Sequence, residues 1–260
     1  MDFSFTDDQI EIRKAIESQL AALVTDDALK ALHKEGKWFD VRAYKALAES
    51  EMLGLALPES VGGAGMGLIE LCLLVHQVGR TVAQIPVIPT LVSAALPIVR
   101  YGTDAQQKRL LDGVATGDTV LSAALVSYDS RDSKRPSARA KKSGSDFLVT
   151  GTFTNVPYVG ESKRVLVAAK TDAGIVVGFI DPKGKGVTVS RQQGTNDEPL
   201  SELVLSDAQI AADDVLGTEA TGAEILAFTV DRTVLATTAM QYGVAEGALK
   251  LTAGYAKERK

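Results

Sequence analysis

Apolar positions along the chain fall into two regimes, and the change comes at Val120. Before it the spacing is helical. Ile12, Ile16, Leu20 and Leu23 recur on one face, the pattern of an amphipathic helix, and Thr6-x-x-Gln9 ahead of them reads as a capping box. A short helix around Asp27–His33 follows. Asp40 is placed to cap another, which turns Val41, Tyr44 and Leu47 inward and ends near Gly54. The stretch from Leu55 to Val82 organises the rest. Pro58 opens a turn carrying Gly62, Gly63, Gly65 and Gly67. Leu68, Ile69, Leu71, Cys72, Leu73, Leu74, Val75 and Val78 then leave almost no polar side, as in a helix buried at the centre of a bundle. With Glu70, His76, Gln77 and Arg80 inside it, the segment is too short and too polar to cross a membrane, which takes about 20 apolar residues. Leu91–Tyr101 is helical again, with Pro97 expected to end or kink it. Thr103-Asp104-Ala105-Gln106 is a second capping box, opening a short helix with Leu110, Leu111 and Val114 inward. Residues 1–118 are expected to form an all-helical domain.

From Val120 the runs shorten and fill with β-branched residues: LSAALV, FLVTG, RVLVAAK, GIVVGFI and GVTVSR, separated by Gly, Asp, Ser and Asn clusters. Such runs predict a small antiparallel β domain over residues 119–217, a barrel or sandwich. Between two of them Arg131, Lys134, Arg135, Arg139, Lys141 and Lys142 form a basic stretch, read as a solvated loop. Gly144-Ser145-Asp146 is a turn. The helical period returns at Thr221-Gly222-Ala223-Glu224, a third capping box, and Ile225, Phe228, Val234, Leu235, Met240, Leu249 and Tyr255 continue it through residues 218–260. No Gly, Asn or Pro closes this last helix, and the reading is of a helical domain cut short. The fold class expected is α+β: an N-terminal helical domain, a middle β barrel or sandwich, and the start of a C-terminal helical bundle.

Composition narrows the function. A net charge of −5 argues against a nucleic-acid partner, and the basic stretch has no interleaved aromatics for bases to stack on. The single cysteine, Cys72, allows no internal disulfide and no cysteine-based zinc site; it is read as a small buried core side chain. His33 lies among charges and is read as exposed, His76 as a structural histidine. The opening MDFSFTDDQ has neither a basic nor an apolar leader region, so a cytoplasmic location and no membrane anchor are expected. Gly63-Ala64-Gly65-Met66-Gly67 follows no strand and lacks the spacing of a dinucleotide-binding fingerprint.

Pro58-Glu59-x-x-Gly62-Gly63-x-Gly65 resembles the turn of acyl-CoA dehydrogenases. The resemblance runs the length of the chain, through MDFSFTDDQ, Tyr101-Gly102-Thr103 to Gln107, Ala211-Ala212-Asp213-Asp214-Val215-Leu216-Gly217 and Tyr255-Ala256-Lys257-Glu258-Arg259. The order helices, β domain, helices is the family's layout. In the family the last segment leads into a Gln-Phe-Gly motif within a four-helix bundle, of which only the first helix is in this sequence. The resemblance implies FAD-dependent α,β-dehydrogenation of an acyl-CoA thioester, with electron-transfer flavoprotein as electron acceptor. A carboxylate takes the α proton, and that step needs a raised pKa in a dry pocket and donors preorganised around the thioester oxygen. The flavin supplies the redox chemistry and the protein positions it.

Residue by residue the resemblance is uneven. Where relatives carry a Thr-Glu pair that contacts flavin, this chain has Val126-Ser127, and the family's following Gly-Ser-Asp is gone. Where relatives carry Trp-Ile-Thr against the isoalloxazine ring, this chain has Asn155-Val156-Pro157; Asn has no aromatic face, and Pro has neither hydroxyl nor N–H. Val126, Ser127, Asn155 and Pro157 are therefore degraded flavin positions. One of the family's two sites for the catalytic base precedes an Arg that holds CoA, and here that pair is Asp231-Arg232. Asp231 reads either as that base, one methylene shorter than Glu, or as a helix-surface acid. Arg232 reads as an acyl-CoA contact, and a CoA-phosphate contact from the basic stretch stands as the alternative to a solvated loop.

A retained fold with degraded flavin positions resembles the actinobacterial branch in which two unlike chains form an α2β2 tetramer, bind FAD at their interface and often act on CoA thioesters of steroid side chains. On that resemblance the chain is a subunit working with a paralogous partner. The alternatives are a non-catalytic subunit that shapes a flavin-binding paralogue, and a flavoprotein of the same fold with oxidase or monooxygenase chemistry.

Overall fold

The computed structural model describes residues 4–259. Met1–Phe3 and Lys260, at the edges of two segments that carry the family resemblance, lie outside them. The chain divides into two compact units, Met1–Ile85 with Val234–Lys260, and Pro86–Thr233.

The first unit is helical: α1 (Asp7–Leu23), α2 (Asp26–Lys34), α3 (Val41–Glu49), α4 (Leu68–Thr81) and, after three further helices and a sheet, the later part of α7 (Gly222–Glu258). The box at Thr6 forms: the Gln9 N–H donates to Thr6 Oγ1 at 3.2 Å and the Thr6 N–H to Gln9 Oε1 at 3.1 Å. The same Gln9 donates its amide to Glu70 Oε1 at 2.8 Å, while Glu70 Oε2 accepts the Gly67 N–H at 2.9 Å, so one carboxylate ties α1 to the start of α4. Burial pushes this carboxyl up, but the Gln9 amide and the N-terminal N–H groups outweigh it and hold it below the usual Glu range. The glycine turn has a steric cause at Gly63, where a Cβ would fall 2.0 Å from the Leu57 carbonyl oxygen. Ile16, Leu20, Tyr44, Leu47, Leu71 and Leu74 fill the core at 0–1% exposure.

Helix α4 is less enclosed than its composition suggests. Ile69 is 54% exposed and Cys72 half-buried. Both line a 460 Å³ groove with Leu68, Phe5, Arg13 and Tyr242. The other flank of α4 meets α7 backbone to backbone. A Cβ on Gly79 would come within 2.2 Å of Met240 O, and one on Gly243 within 2.0 Å of His76 O. His76 Nε2 then lies 2.9 Å from Glu246 Oε2, and Arg80 Nη1 lies 2.7 Å from Glu17 Oε1. His76 is thus a structural histidine, with an acid from 170 residues further along as its partner. His33 is exposed and meets Trp38 edge-on.

The second unit begins with a π-helical segment, Ile88–Ala95, running into α5 (Leu96–Tyr101), with α6 (Asp104–Leu110) after it. Pro97 neither ends nor breaks this run. It lies in the first turn of α5, where its missing N–H follows a wide π turn that needs fewer i−4 bonds. Seven strands follow: β1 (Val120–Ala123), β2 (Arg139–Ser143), β3 (Asp146–Pro157), β4 (Ser162–Lys170), β5 (Ile175–Ile180), β6 (Val187–Gln193) and β7 (Pro199–Ile210). They form one sheet in the order β1-β4-β2-β3-β7-β6, with β5 on β4. The sheet is mixed rather than purely antiparallel, because β1 and β2 each meet β4 in parallel. Phe147, Val149, Phe153, Val165, Val167, Val176, Leu203 and Leu205 from both halves close on one core.

Two strands lie outside the apolar runs of the sequence. β2 occupies the end of the basic stretch: Ala138 and Ala140 point inward while Arg139 and Lys141 stay exposed, and alanine gives a weak β signal. β7 turns Ser201, Leu203, Leu205, Ala208 and Ile210 inward, with polar residues before and after a central Leu-Val-Leu. Gly144-Ser145 is a two-residue hairpin turn between the paired Ser143 and Asp146. Asp146 accepts the Ala212 N–H at 2.9 Å and the Gln209 amide at 2.6 Å, and these bonds hold its carboxyl below the usual Asp range. Arg109 clamps the same 211–217 segment, with Nη1 2.7 Å from Asp214 Oδ1 and Nη2 donating to Asp213 O at 2.7 Å. The third capping box is spent elsewhere. Thr221 Oγ1 exchanges bonds with the Thr218 backbone, and Glu224 accepts from the Tyr101 hydroxyl at 3.0 Å.

Candidate functional site

The six residues singled out in the sequence all lie in the second unit, in two groups. Val126 and Ser127 follow β1 and run beside β3. The Thr154 N–H donates to Val126 O at 2.9 Å, and Ser127 bridges to Phe153. Val126 is 38% exposed, while Ser127 is buried with its hydroxyl accepting the Ser137 N–H at 3.2 Å. Asn155 stands next on β3. The β3–β7 register slips between Phe153 and Val156, Asn155 takes φ +53°, and its N–H is released from the ladder. Asn is among the few side chains that tolerate this region. Gln192 on β6 takes the released group: its Oε1 accepts the Asn155 N–H at 2.9 Å while its Nε2 donates to Thr154 Oγ1 at 3.0 Å. Pro157 is paired opposite Leu200, and its carbonyl accepts the Ser122 hydroxyl at 2.5 Å. Tyr158, also at positive φ, is buried. Burial, then the charges of Glu198 and Glu161, drive its phenol well above the usual range.

As a seat for a flavin ring this segment does not fit. It offers no aromatic face, the one displaced N–H is satisfied by Gln192, and the Pro157 carbonyl is occupied. Gln192 was not legible as a site residue, since it becomes one only through the bulge at Asn155.

The second group is on α7. Asp231 and Arg232 are consecutive, so their side chains diverge by about 100° around the helix. Asp231 Oδ1 lies 2.6 Å from Lys134 Nζ, with the two side chains 58% and 44% exposed. Arg232 is half-buried with its guanidinium 5.0 Å from the Phe228 ring centre; Arg100 reaches the same ring at 5.4 Å. Among the described residues neither Arg232 nor Arg131 has a carboxylate at ion-pair distance. The basic stretch is therefore more than a solvated loop: its Lys134 is held against α7. Directly after Arg232, Thr233 Oγ1 donates to Thr229 O at 2.8 Å and so accepts from Ser93 Oγ, also at 2.8 Å, which pins the helix to the buried π segment. No hydrogen bond, ion pair or ring contact joins Asp231 or Arg232 to Asn155 or Pro157. No group of three or more metal-ligating side chains occurs among the described residues, and no helix there is long and apolar enough to cross a membrane.

Chemically, this turn of α7 offers a carboxylate paired with Lys134 and, about 100° around the helix, a guanidinium without a carboxylate partner among the described residues. That set suits an anionic ligand better than a dry acid–base pocket. Residues 6–118 match the profile of the acyl-CoA dehydrogenase N-terminal domain. The chain is 29% identical over its full length to acyl-CoA dehydrogenase FadE27 of Mycobacterium tuberculosis, spanning 68% of that protein. Among solved structures it is similar to a variant of the Tcur3481–Tcur3483 steroid ACAD (33% identity, TM-score 0.89, 98% of this chain and 68% of that one). It is also similar to the ChsE4–ChsE5 complex of M. tuberculosis (28% identity, TM-score 0.93, all of this chain and 69% of that one). The chain thus spans about two thirds of the length of these relatives.

Proposed function

Because the chain belongs to the acyl-CoA dehydrogenase family, we propose that it is one subunit of a heteromeric acyl-CoA dehydrogenase. It would share a site for FAD and a CoA thioester with a paralogous chain that supplies the flavin-ring contacts. The observation that carries this reading is the Asn155–Pro157 segment. The scaffold that places it is intact, yet its residues are used up by Gln192 and Ser122. Two of the similar structures are named as a steroid ACAD and as a two-chain complex. These support a heteromer, and CoA thioesters of bulky steroid side chains as the substrate class; electron-transfer flavoprotein as the electron acceptor and a cytoplasmic location are carried over from the family resemblance. Arg232 would bind the CoA thioester, with its guanidinium face held on Phe228. Flavin absorbance tests the proposal. The chain produced alone should be colourless, and the chain co-produced with its paralogous partner should carry FAD in stoichiometric amount. A fully flavinylated solitary chain overturns it.

The Lys134–Asp231 ion pair favours a second reading, in which this subunit is non-catalytic and only shapes its partner's site. An acid that is 58% exposed and paired is poorly prepared to abstract a carbon-bound proton. Asp231→Ala in the pair separates the two: turnover is abolished if Asp231 is the base and nearly intact if the subunit only supports its partner.

A further inference from the structure

We propose that the Lys134–Asp231 pair is a latch opened by the phosphate groups of a CoA thioester. This rests on the reading that the chain contributes to an acyl-CoA site. Lys134 stands on a loop held at both ends, by the Ser137 N–H on Ser127 Oγ and by the Asp132 carboxylate, which accepts the Lys134 N–H at 2.9 Å. From that loop its ammonium reaches Asp231 on α7 at 2.6 Å. The cations around it are differently committed. Arg135 pairs with Asp132 at 3.4 Å. Arg131 and Arg232 have no carboxylate partner among the described residues. A ligand carrying phosphates meets a lysine whose present partner is one exposed carboxylate; Arg131 stands three positions before it in the chain and Arg232 directly follows Asp231 on α7.

A phosphate carries more charge than a carboxylate and more acceptor oxygens. The pair it must displace is half in solvent and therefore weak. Lys134 turns to the phosphate, and the Asp231 carboxylate is released on the helix turn that carries Arg232. Without ligand the acid is neutralised; with ligand bound it is free, so the bound state alone presents an unpaired carboxylate beside the CoA contact.

The chain co-produced with its partner, titrated calorimetrically with coenzyme A, tests this. Asp231→Asn removes the competitor for Lys134 and should tighten CoA binding about two- to five-fold, the span for releasing an exposed ion pair. Lys134→Met should weaken binding. In the Lys134→Met background Asp231→Asn should change nothing, because there is no longer a latch to open. Simple repulsion between Asp231 and the phosphates predicts instead the same gain in both backgrounds, and that result overturns the latch. So does an affinity unmoved by Asp231→Asn in a pair that binds CoA, while leaving the subunit reading in place. A wild-type pair that binds no CoA removes both. Both substitutions are at exposed side chains, and unchanged unfolding midpoints verify that the fold is kept.

Discussion

Gly243→Ala should destabilise the helical unit even though it replaces the worst common helix former with the best. On propensity alone the change stabilises by about 1 kcal/mol. The packing reverses the sign. The new Cβ would sit 2.0 Å from His76 O and 2.9 Å from the Arg80 N. A carbon approaches a carbonyl oxygen no closer than about 3.3 Å, so α4 and α7 must part by roughly 1.3 Å. Both obstructing atoms are helix backbone and cannot rotate away. Overpacking of this kind costs about 1–3 kcal/mol. The separation also pulls on the His76–Glu246 contact, one turn further along α7. The net expectation is a loss of up to about 2 kcal/mol. Gly254 is the internal control, being on the same helix with nothing within 4 Å of a built Cβ, so Gly254→Ala should gain up to about 1 kcal/mol. Urea unfolding followed by far-ultraviolet circular dichroism measures both. If Gly243→Ala shifts the midpoint upward alongside Gly254→Ala, the helices do not meet through their backbones and the reasoning fails.

Other outcomes follow from the same geometry. Leu203→Ala, at 0% exposure in the β core, should cost about 2–5 kcal/mol in the same assay, whereas Val189→Ala, 39% exposed on β6, should cost well under 1 kcal/mol. Arg109→Ala strips the nearer of two guanidiniums from the buried Asp214, leaving Arg164 at 4.0 Å, and should lower the unfolding midpoint, with Arg109→Lys recovering only part because one ammonium cannot serve both Asp214 and the Asp213 carbonyl. Acid should destabilise the chain through Glu70, Asp146 and Glu219, whose carboxyls are held below their usual range. A depressed folded pKa gives stability that is present above the unfolded value and is lost as pH falls below about 4. Asp146→Asn should therefore lower stability at pH 7 while flattening its acid dependence, as midpoints measured from pH 7 down to pH 3 would record.

The fold was legible where local chemistry and long-range packing agree. Thr6-Gln9 and Thr103-Gln106 close their boxes because both partners lie within one turn, and their distant partners take the glutamine amide nitrogen and leave Oε1 to the cap. Thr221-Glu224 does not, because Tyr101 and the Thr218 turn claim its side chains. β7 and β2 escaped the pattern for different reasons: β2 turns only alanines inward, while the inward positions of β7 include Ser201 and Ala208 and lose their two-residue period between Leu205 and Ala208; both are paired with β3 between them. Cys72 and Ile69 looked buried because a helix apolar on every side normally is. The groove along α4 shows instead that one face is open among the described residues.

The candidate site was legible as identities and not as states. Asn155 and Pro157 could be recognised from sequence as unsuited to a flavin ring, since that follows from side-chain chemistry alone. That Gln192 closes the same position could not, because it depends on a one-residue register slip across β7. Asp231 carries the sharper lesson. Its place before Arg232 is compatible with catalysis or with a surface ion pair, and the deciding partner, Lys134, lies 97 positions earlier in a stretch that reads as solvated. A carboxylate neutralised by a weak, exposed contact is a surface acid while that contact lasts. On the latch proposal it becomes an unpaired carboxylate when a phosphate takes the lysine, and the double-substitution titration decides whether it does.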